Sequence, residues 1–315
     1  MRGGGPDVTF SGPEESRVAR VESLDFQKFV DERKQAHPGA SSGESSHAYA
    51  YAWDKKTRVA FETMKPVELA VAAGVRMFKH IGKAELLGHA VKVGPRQFPR
   101  VLALAERCGS TLGIATPTLY VVNNPQMNAA TYGTNDDSFI MIHSGLVDHL
   151  SDDELMSVIG HECGHIHNNH VVYLTALFML TRMAGLFLRY ASLPAVLALR
   201  AWSRRAEITC DRAGALCARD LDVASRALTK LALGSQKLYE ELNIEAFLEQ
   251  HEEAQGSVGR FSEVFATHPW LPKRVLALRE FGQSSLFRQH VGKGDDGLSM
   301  EQVDEKVHEI VKVLG

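Results

Sequence analysis

The sequence lacks a strong net charge and a dense cysteine pattern. Its 35 basic and 38 acidic side chains nearly balance, so no basic surface for nucleic acid is predicted. The 4 cysteines in 315 residues are too few and too scattered for a disulfide framework. Cys210 and Cys217 would lie about 10 Å apart on one predicted helix, beyond disulfide reach. We therefore expect buried free thiols and a cytoplasmic location, with a peripheral position at the inner face of a membrane as the alternative.

The sequence also lacks a long uninterrupted apolar run. The first residues, MRGGGPDVTFSGPEES, contain no apolar core of a signal peptide, which argues against secretion. The most apolar segment, 171–199, is interrupted by Arg182 and Arg189 and contains Pro194, which should bend it. It is shorter between charges than the about 20 residues of a spanning helix. We predict that it covers a cleft, forms an oligomer contact or lies on a membrane surface.

Composition divides the chain into four segments. Residues 1–47, rich in Gly, Pro, Ser and charge, are predicted to be a flexible arm, with an inhibitory role over the cleft as one hypothesis. Residues 48–84 form a helical segment that Pro66 kinks or divides in two. The main domain covers 85–290, and an amphipathic helix covers 291–315.

Short predicted strands and longer helices alternate in the main domain. The strands are ELLGHAVKVG, TLYVV and SFIMIH, with an exposed edge strand and turn in NAATYGTNDD. One helix, PRQFPRVLALAERCG, should be closed by Gly109. Another begins at the SDDE capping box of Ser151 and Glu154. Further helices are predicted over Trp202–Arg219, Asp222–Leu233 and Glu240–His251. This pattern predicts an α+β, predominantly helical fold.

The stretch VIGHECGHIHNNH concentrates metal-binding residue types on the helix that follows Ser151. At about 100° per residue, His161 and His165 share one face and Glu162 lies beside them. Two imidazoles one turn apart can hold one metal ion. This H-E-x-x-H arrangement predicts a zinc hydrolase in which Glu162 accepts the proton of metal-activated water. The alternative is a helix with surface histidines.

The other residues of this helix receive structural interpretations. Cys163 points away from the metal face and should pack as a small apolar side chain. His167 and His170 are predicted to be surface or helix-end residues. Asn168 shares the metal face and should stabilise the site, and Gly164 leaves room for a close neighbour.

A third ligand is available in SRRAEITCDRAGALCA, which is predicted to be helical. Glu207 and Asp211 lie four residues apart and therefore on one face. Glu207 can complete the zinc site, and Asp211 can accept a hydrogen bond from the second ring nitrogen of a ligand histidine. The alternative is that both carboxylates merely pair with Arg204, Arg205 and Arg212.

Three motifs in this order, HECGH, SRRAEITCD and THPWLPKR, resemble the minimal gluzincin metalloproteases, the group that contains the heat-shock protease HtpX and the CAAX prenyl proteases. The likeness covers roughly 87–279. It implies a zincin-type fold and one zinc ion per chain, held by His161, His165 and Glu207 with Glu162 as general base.

The resemblance also gives the predicted edge strand a role. In such proteases a strand at the border of the active-site cleft pairs with the extended substrate backbone. The matching residues are Asn128, Ala129, Ala130, Thr131 and Tyr132. The alternative is a plain connecting strand.

The third motif implies two further site residues. By resemblance, His268 lies near the zinc and donates a hydrogen bond to the oxyanion of the tetrahedral intermediate. Arg274 would fix or polarise the site. The alternative is structural, because Thr267 with Pro269 also resembles the start of a helix.

These observations together predict a zinc metalloendopeptidase whose catalytic domain is 85–290. One alternative is a quality-control protease on a membrane surface, and another is a non-proteolytic binding protein that zinc stabilises. The expected partner is a peptide or protein substrate and not nucleic acid, with peripheral membrane contact or self-association through 171–199.

Overall fold

The computed structural model describes residues 47–61, 63–182, 191–254, 263, 266 and 268–312. Nearly all of the predicted flexible arm, together with Arg189 and Thr267, lies outside these residues. The described residues all lie in one compact unit. The division of the chain into four segments therefore stays a prediction.

The chain enters the fold through consecutive helices. Helix α1 is Ala52–Phe61, and α2 is Lys65–Met77. Pro66 lies in the first turn of α2, where its missing N–H costs no hydrogen bond, so the predicted division at this proline is confirmed. A π-helical turn, Phe78–Gly82, leads directly into α3, Lys83–Leu87.

A four-stranded sheet follows, with the order β1-β2-β4-β3. Its strands are β1 (Ala90–Lys92), β2 (Thr118–Val122), β3 (Ala129–Gly133) and β4 (Ser138–His143). The two central strands are parallel, and each outer strand is antiparallel to its neighbour. The predicted first strand was wrong over residues 85–87, which belong to α3. Strand β3 lies at an edge, as predicted.

Helix α4 (Pro99–Leu112) runs one turn further than predicted. It ends at Gly113, whose φ of 69° suits a glycine C-cap. Gly109 was predicted to end this helix but lies inside it. A Cβ at Gly109 would lie 3.1 Å from the carbonyl oxygen of Ile114, so the glycine allows the chain to fold back closely. A short helix, α5 (Ser144–His149), follows the sheet.

Helix α6 (Asp152–His167) begins with the predicted capping box of Ser151 and Glu154. It ends in a Schellman motif. Asn169 has a φ of 59°, and the backbone N–H of His170 reaches the carbonyl of His165 at 2.9 Å. The chain therefore folds back under the last turn of α6 instead of continuing along its axis.

The apolar residues after α6 pack inside the protein. Helix α7 (Val171–Arg182) lies against α2, where a Cβ at Gly74 would come within 2.6 Å of the Cα of Ala176. Most of its apolar side chains are buried in the cluster around Trp202. Packing within the chain thus accounts for this part of the segment. Within the described residues, no helix is both long and apolar enough to cross a membrane.

Helix α8 (Leu193–Ala218) is the longest described helix. It was predicted to start near Trp202, but Pro194 occupies its first turn and begins the helix instead of bending it. Six shorter helices follow within the described residues: α9 (Leu221–Leu233), α10 (Gln236–Glu241), α11 (Ile244–Ala254), α12 (Leu271–Gly282), α13 (Ser285–His290) and α14 (Met300–Val311). The single helix predicted over Glu240–His251 is divided between α10 and α11.

Close contact between α6 and α8 depends on glycines. A Cβ at Gly160 would lie 2.6 Å from the Cβ of Cys217, and one at Gly164 would lie 2.8 Å from that of Ala213. On α8, a Cβ at Gly214 would lie 2.6 Å from the carbonyl oxygen of Ser157. This approach brings the H-E-x-x-H face of α6 against the face of α8 that carries Glu207.

Candidate metal centre

The two histidines of the H-E-x-x-H motif lie together at the α6–α8 interface. His161 is half-buried and His165 is buried, and their ring centroids are 5.0 Å apart. Their Nε2 atoms approach the same carboxylate of α8: His161 is 3.4 Å from Oε2 of Glu207, and His165 is 3.6 Å from Oε1. The predicted ligands therefore come together although 42 residues separate His165 from Glu207 in the sequence.

The chemistry and spacing of this donor set fit a zinc ion. Two donors bonded at 2.0–2.1 Å in tetrahedral geometry lie about 3.3–3.4 Å apart. The two Nε2–carboxylate distances are within a few tenths of an ångström of that value. Burial lowers the pKa of His165 well below its ordinary value, whereas the carboxylates of Glu207 and Asp211 outweigh burial and raise the pKa of His161 to about 10.

A second donor set overlaps the first. Among the described residues, His161, His165 and Cys210 each offer one donor atom within 4.8 Å of the others. However, the Sγ of Cys210 lies 3.2 Å from Nδ1 of His165, on the side of the ring opposite Nε2. Burial also raises the pKa of Cys210 well above its ordinary value, which disfavours the thiolate. Glu207, by contrast, faces both Nε2 atoms.

Asp211 and Arg274 support the other side of the site. Nδ1 of His161 donates to Oδ1 of Asp211 at 3.0 Å. The guanidinium of Arg274 holds both oxygens of Asp211, at 2.8 and 2.6 Å, and its Nη2 is 3.1 Å from Glu207. Burial alone would raise the pKa of Asp211, but Arg274 and His161 hold it below its ordinary value.

The alternative pairing of the two carboxylates with neighbouring arginines is wrong. Arg212 forms a buried ion pair with Asp304 at 2.7 Å. Arg204 donates to the carbonyl of Ala266, and Arg205 donates to Thr57. The arginine that neutralises the site is therefore Arg274, on α12.

Glu162 lies on the same side of α6 and is buried. Its Oε2 accepts a hydrogen bond of 2.6 Å from the hydroxyl of Thr131 on β3. Burial raises the pKa of Glu162 above its ordinary value, whereas His161 and the Thr131 hydroxyl oppose this rise. A buried carboxylate with a raised pKa and one held oxygen suits a general base.

His268 reaches the same carboxylate from the segment before α12. Its Nε2 is 3.5 Å from Oε1 of Glu207, and its side chain is 59% exposed. It lines one cavity, whose wall also includes Ala129, Glu162, Glu207, Asp211 and Arg274. Apolar residues of α9 and α12 also line this cavity.

The edge of β3 that faces away from β4 begins beside this cavity, which Asn128 and Ala129 line. Hydrogen bonds from His143 to Asn128 and from Thr134 to Asp137 define the β3–β4 ladder. The alternation of an antiparallel pair then directs the N–H and C=O groups of Ala129 and Thr131 away from β4. Of the five predicted edge-strand residues, these two can pair with an added strand.

His167 and His170 lie at and just beyond the C-terminal end of α6. His167 is half-buried and hydrogen-bonds the hydroxyl of Tyr49 at 2.8 Å, which agrees with a helix-end role. His170 was predicted to be a surface or helix-end residue; it follows the end of α6, but it is fully buried. That prediction extended α6 through residue 170, whereas the Schellman motif turns His170 inward beside His165.

Asn168 is the C-cap of α6. Its amide donates to the carbonyl of Gly164 and to the hydroxyl of Tyr49, both at 2.9 Å. These contacts hold the end of the helix and connect it to the N-terminal segment. Asn168 thus contacts the backbone of the helix that carries the site, and not the side chains of the site.

The sequence did not predict that Thr131 contacts Glu162. It also gave no indication that Asp54 lies near the site. Asp54 is a buried carboxylate on α1 whose Oδ2 lies 3.0 Å from Nε2 of His170. A single acidic residue in an amphipathic helix gives no sequence signal for such a role. The asparagine pair before His170 is a recognisable helix-ending signal.

A helix that carries H-E-x-x-H and faces a carboxylate on a second helix is typical of metallopeptidases. Residues 95–281 match the family described as "Peptidase family M48", which is more than half of the chain. The chain belongs to this family. A metal ion is therefore its cofactor, and peptides or proteins are the substrates of the family.

Two relatives illustrate the range of this family. The chain is 36% identical over 178 residues to plastoglobule-localized metallopeptidase 48 of the Arabidopsis thaliana chloroplast, covering 55% of this chain and 52% of that protein. It thus spans about half the length of that relative. It is 28% identical over 247 residues to a protease HtpX homolog of Tropheryma whipplei strain Twist, covering 68% of this chain and 84% of that protein.

Proposed function

We propose that the protein is a zinc-dependent endopeptidase in which His161, His165 and Glu207 hold the metal ion. The observation that supports this most directly is the approach of both Nε2 atoms to the two oxygens of one buried carboxylate. Zinc bound by these groups would polarise a peptide carbonyl and acidify water. The zincin-type fold expected from the sequence is part of this proposal.

Glu162 is the proposed general base. Thr131 holds its Oε2, which leaves Oε1 to accept the proton of the attacking water and to pass it to the leaving amine. Because burial favours the protonated carboxyl, Glu162 gives this proton up less readily to bulk water than an exposed glutamate does. Its position beside His161 places it next to the proposed metal.

His268 and Arg274 stabilise negative charge in this proposal. The exposed imidazole of His268 is the donor to the oxyanion that develops on the scissile carbonyl. The guanidinium of Arg274 contacts the carboxylates of Asp211 and Glu207. We therefore propose that Arg274 positions these two carboxylates. Asp211 in turn orients His161.

The proposed substrate is an extended peptide segment that adds to β3 at the cleft border. The outward groups of Ala129 and Thr131 supply the backbone hydrogen bonds. The neighbouring cavity, with its wall of Ala224, Leu228 and Leu231, accepts a side chain of the peptide. The four free, buried cysteines agree with the cytoplasmic location that we propose.

The central test is Glu162→Gln, with the exposed Glu106→Gln as matched control. We expect the first variant to keep one zinc ion per chain and to lose cleavage of casein and of a peptide library. The control should keep both. Cleavage by Glu162→Gln at the wild-type rate contradicts the mechanism. Bound zinc without any cleavage by the wild type favours the alternative of a non-proteolytic binding protein that zinc stabilises.

A second experiment separates the two donor sets. Glu207→Gln removes the proposed third ligand, whereas Cys210→Ala removes the thiol of the competing set. We expect zinc affinity to fall strongly in Glu207→Gln and to change little in Cys210→Ala. The reverse order would transfer the third ligand from Glu207 to Cys210.

A further inference from the structure

The two proposed histidine ligands differ in what their second ring nitrogen contacts. Nδ1 of His161 meets a carboxylate directly, that of Asp211. Nδ1 of His165 instead lies 3.2 Å from Nδ1 of His170 and 3.2 Å from the Sγ of Cys210. A ligand histidine needs a partner that holds its Nδ1–H, because this proton leaves Nε2 free for the metal.

His170 reaches this position through the end of α6. In a Schellman motif, the second residue after the C-cap folds back against the last turn of the helix. Here that residue is His170, and the residue it meets is His165, with an angle of 65° between their rings. The contact that is usually apolar is a pair of imidazoles in this chain.

The far side of His170 faces the carboxylate of Asp54 at ion-pair distance. Nε2 of His170 is 3.0 Å from Oδ2 of Asp54. The carboxylate also accepts hydrogen bonds from the indole of Trp202 at 2.8 Å, through Oδ1, and from Thr209 at 2.7 Å, through Oδ2. Asp54, His170, Trp202 and Thr209 are all buried, so the orientation of the His170 ring is fixed by its partners.

We propose that Asp54 and His170 are positioning residues that fix the tautomer of His165, so that its Nε2 faces the metal; this inference rests on the proposed function. Asp54 only accepts hydrogen bonds, so Nε2 of His170 carries the proton. Nδ1 of His170 is then an acceptor, and His165 donates to it from Nδ1. Nε2 of His165 is thereby left with its lone pair toward Glu207.

The thiol of Cys210 is compatible with a proton on Nδ1 of His165 and on Nε2 of His170. Its Sγ lies 3.7 Å from Nδ1 of His170 and can donate its S–H there, or it can accept a share of the His165 Nδ1–H. Both arrangements leave the proton of His165 on Nδ1. The thiol therefore fills the space between the rings without changing which nitrogen faces the metal.

The pair extends the metal centre beyond the part of the chain that matches the family. Asp54 lies on α1, outside residues 95–281. Helix α1 thus contributes to the site through a chain of three side chains, Asp54, His170 and His165.

Asp54→Asn gives the sharpest test because the surroundings dictate how the new amide orients. The indole N–H of Trp202 can only donate, so the amide oxygen must face Trp202 and the NH₂ must face His170. His170 would then accept at Nε2 and carry its proton on Nδ1. His165 would be driven to the tautomer that is protonated on Nε2, which cannot bind the metal.

Two substitutions at His170 separate hydrogen bonding from packing. His170→Asn keeps an acceptor near the position of Nδ1, whereas His170→Leu fills space without one. The matched control is Asp304→Asn, which changes another buried carboxylate, the partner of Arg212. It should lower stability without changing the metal site.

Zinc affinity is measured by competition with a chromophoric chelator, and the geometry is followed by the absorption spectrum of the cobalt-substituted protein. We expect Asp54→Asn and His170→Leu to weaken zinc binding by about 10- to 100-fold and to alter the cobalt spectrum. His170→Asn should lie closer to the wild type, and Asp304→Asn should match it. Wild-type affinity and spectrum in both Asp54→Asn and His170→Leu would overturn the positioning role alone. A wild-type protein that binds no zinc would overturn the proposed function as well.

A measurement on the unmutated, metal-free protein covers the case in which a variant does not fold. Nitrogen-15 NMR of the histidine side chains reports which ring nitrogen carries the proton. We expect the proton on Nδ1 of His165 and on Nε2 of His170. The opposite tautomers would overturn the inference.

Discussion

The hydroxyl of Thr131 donates a hydrogen bond of 2.6 Å to Oε2 of Glu162 and joins the edge strand to the H-E-x-x-H helix. Thr131 is buried on β3, and Glu162 is buried on α6. One side chain of the proposed substrate-binding strand therefore orients the proposed general base. Through this contact, a change in the position of β3 would change the orientation of Glu162.

Thr131→Val should impair catalysis while leaving the zinc in place. The hydroxyl stabilises the ionised carboxylate, so its loss raises the pKa of Glu162 further. A general base must be ionised, so the acidic limb of the pH profile of kcat/KM should move to higher pH. We expect about a 10-fold lower kcat/KM, from the loss of roughly 1.5 kcal/mol. Thr131→Ser keeps the hydroxyl and should stay near the wild-type profile.

Proline substitutions in β3 can distinguish its two edges. Ala129→Pro removes an N–H that points away from β4, so it should reduce peptide cleavage with little loss of stability. Ala130→Pro removes an N–H that points toward β4, so it should destabilise the fold. Thermal unfolding and kcat/KM for one extended peptide check both. Unchanged cleavage by Ala129→Pro would argue against substrate pairing on this edge.

Gly164→Ala should loosen the contact between α6 and α8. The added Cβ would lie 2.8 Å from the Cβ of Ala213 and 3.2 Å from the Cα of Cys210. Such overpacking costs about 1–3 kcal/mol, and it moves His165 away from Glu207. We expect weaker zinc binding and a lower unfolding midpoint in urea. Gly94→Ala is the control, because a Cβ there meets no atom within 4 Å.

The buried pair of Glu154 and Lys230 should make stability depend on pH. Their charged atoms lie 2.9 Å apart at the start of α6. Burial alone would raise the pKa of Glu154, but Lys230 and Ser151 hold it below its ordinary value. The stability from this carboxylate is thus present above its unfolded-state pKa and is lost as the pH falls through its lower folded-state pKa.

Lys230→Met removes this stabilisation and leaves the buried carboxylate with the more distant Arg226, whose Nε is 3.6 Å from Oε1 of Glu154. We expect a loss of about 3–5 kcal/mol near pH 7 and a smaller loss under acidic conditions, measured by urea unfolding across pH. The exposed pair of Lys306 and Glu280 supplies the control. Lys306→Met should change stability by less than about 1 kcal/mol at any pH.

Local signals in the sequence predicted much of the secondary structure. The capping box at Ser151, the proline at the start of α2 and the β-rich runs of β2 and β4 act over a few residues. Errors arose where a tertiary contact outweighed the local signal. Gly109 looked like a helix end but serves a close backbone approach, and Pro194 starts α8 instead of bending it.

The predicted site residues show the same division. His161, His165 and Glu162 follow from the helical period, because residues four apart in one helix share a face whatever surrounds them. Glu207 was proposed as the third ligand because it shares a predicted helix face with Asp211, and the family resemblance agreed; no local rule specifies which helix packs on α6. The contact of Arg274 with Asp211 depends equally on the packing of α12.

The sequence by itself determined the chemistry of the protein: a helix with H-E-x-x-H spacing, a distant glutamate and a membership in peptidase family M48. Only the tertiary structure decided what holds that chemistry in place. Asp54 and Thr131 become partners of the site through α1 and β3, and His170 becomes buried because a left-handed Asn169 reverses the chain. Hydrogen bonds between buried side chains depend on ångström-scale packing of separate elements, which spacing along the chain does not encode.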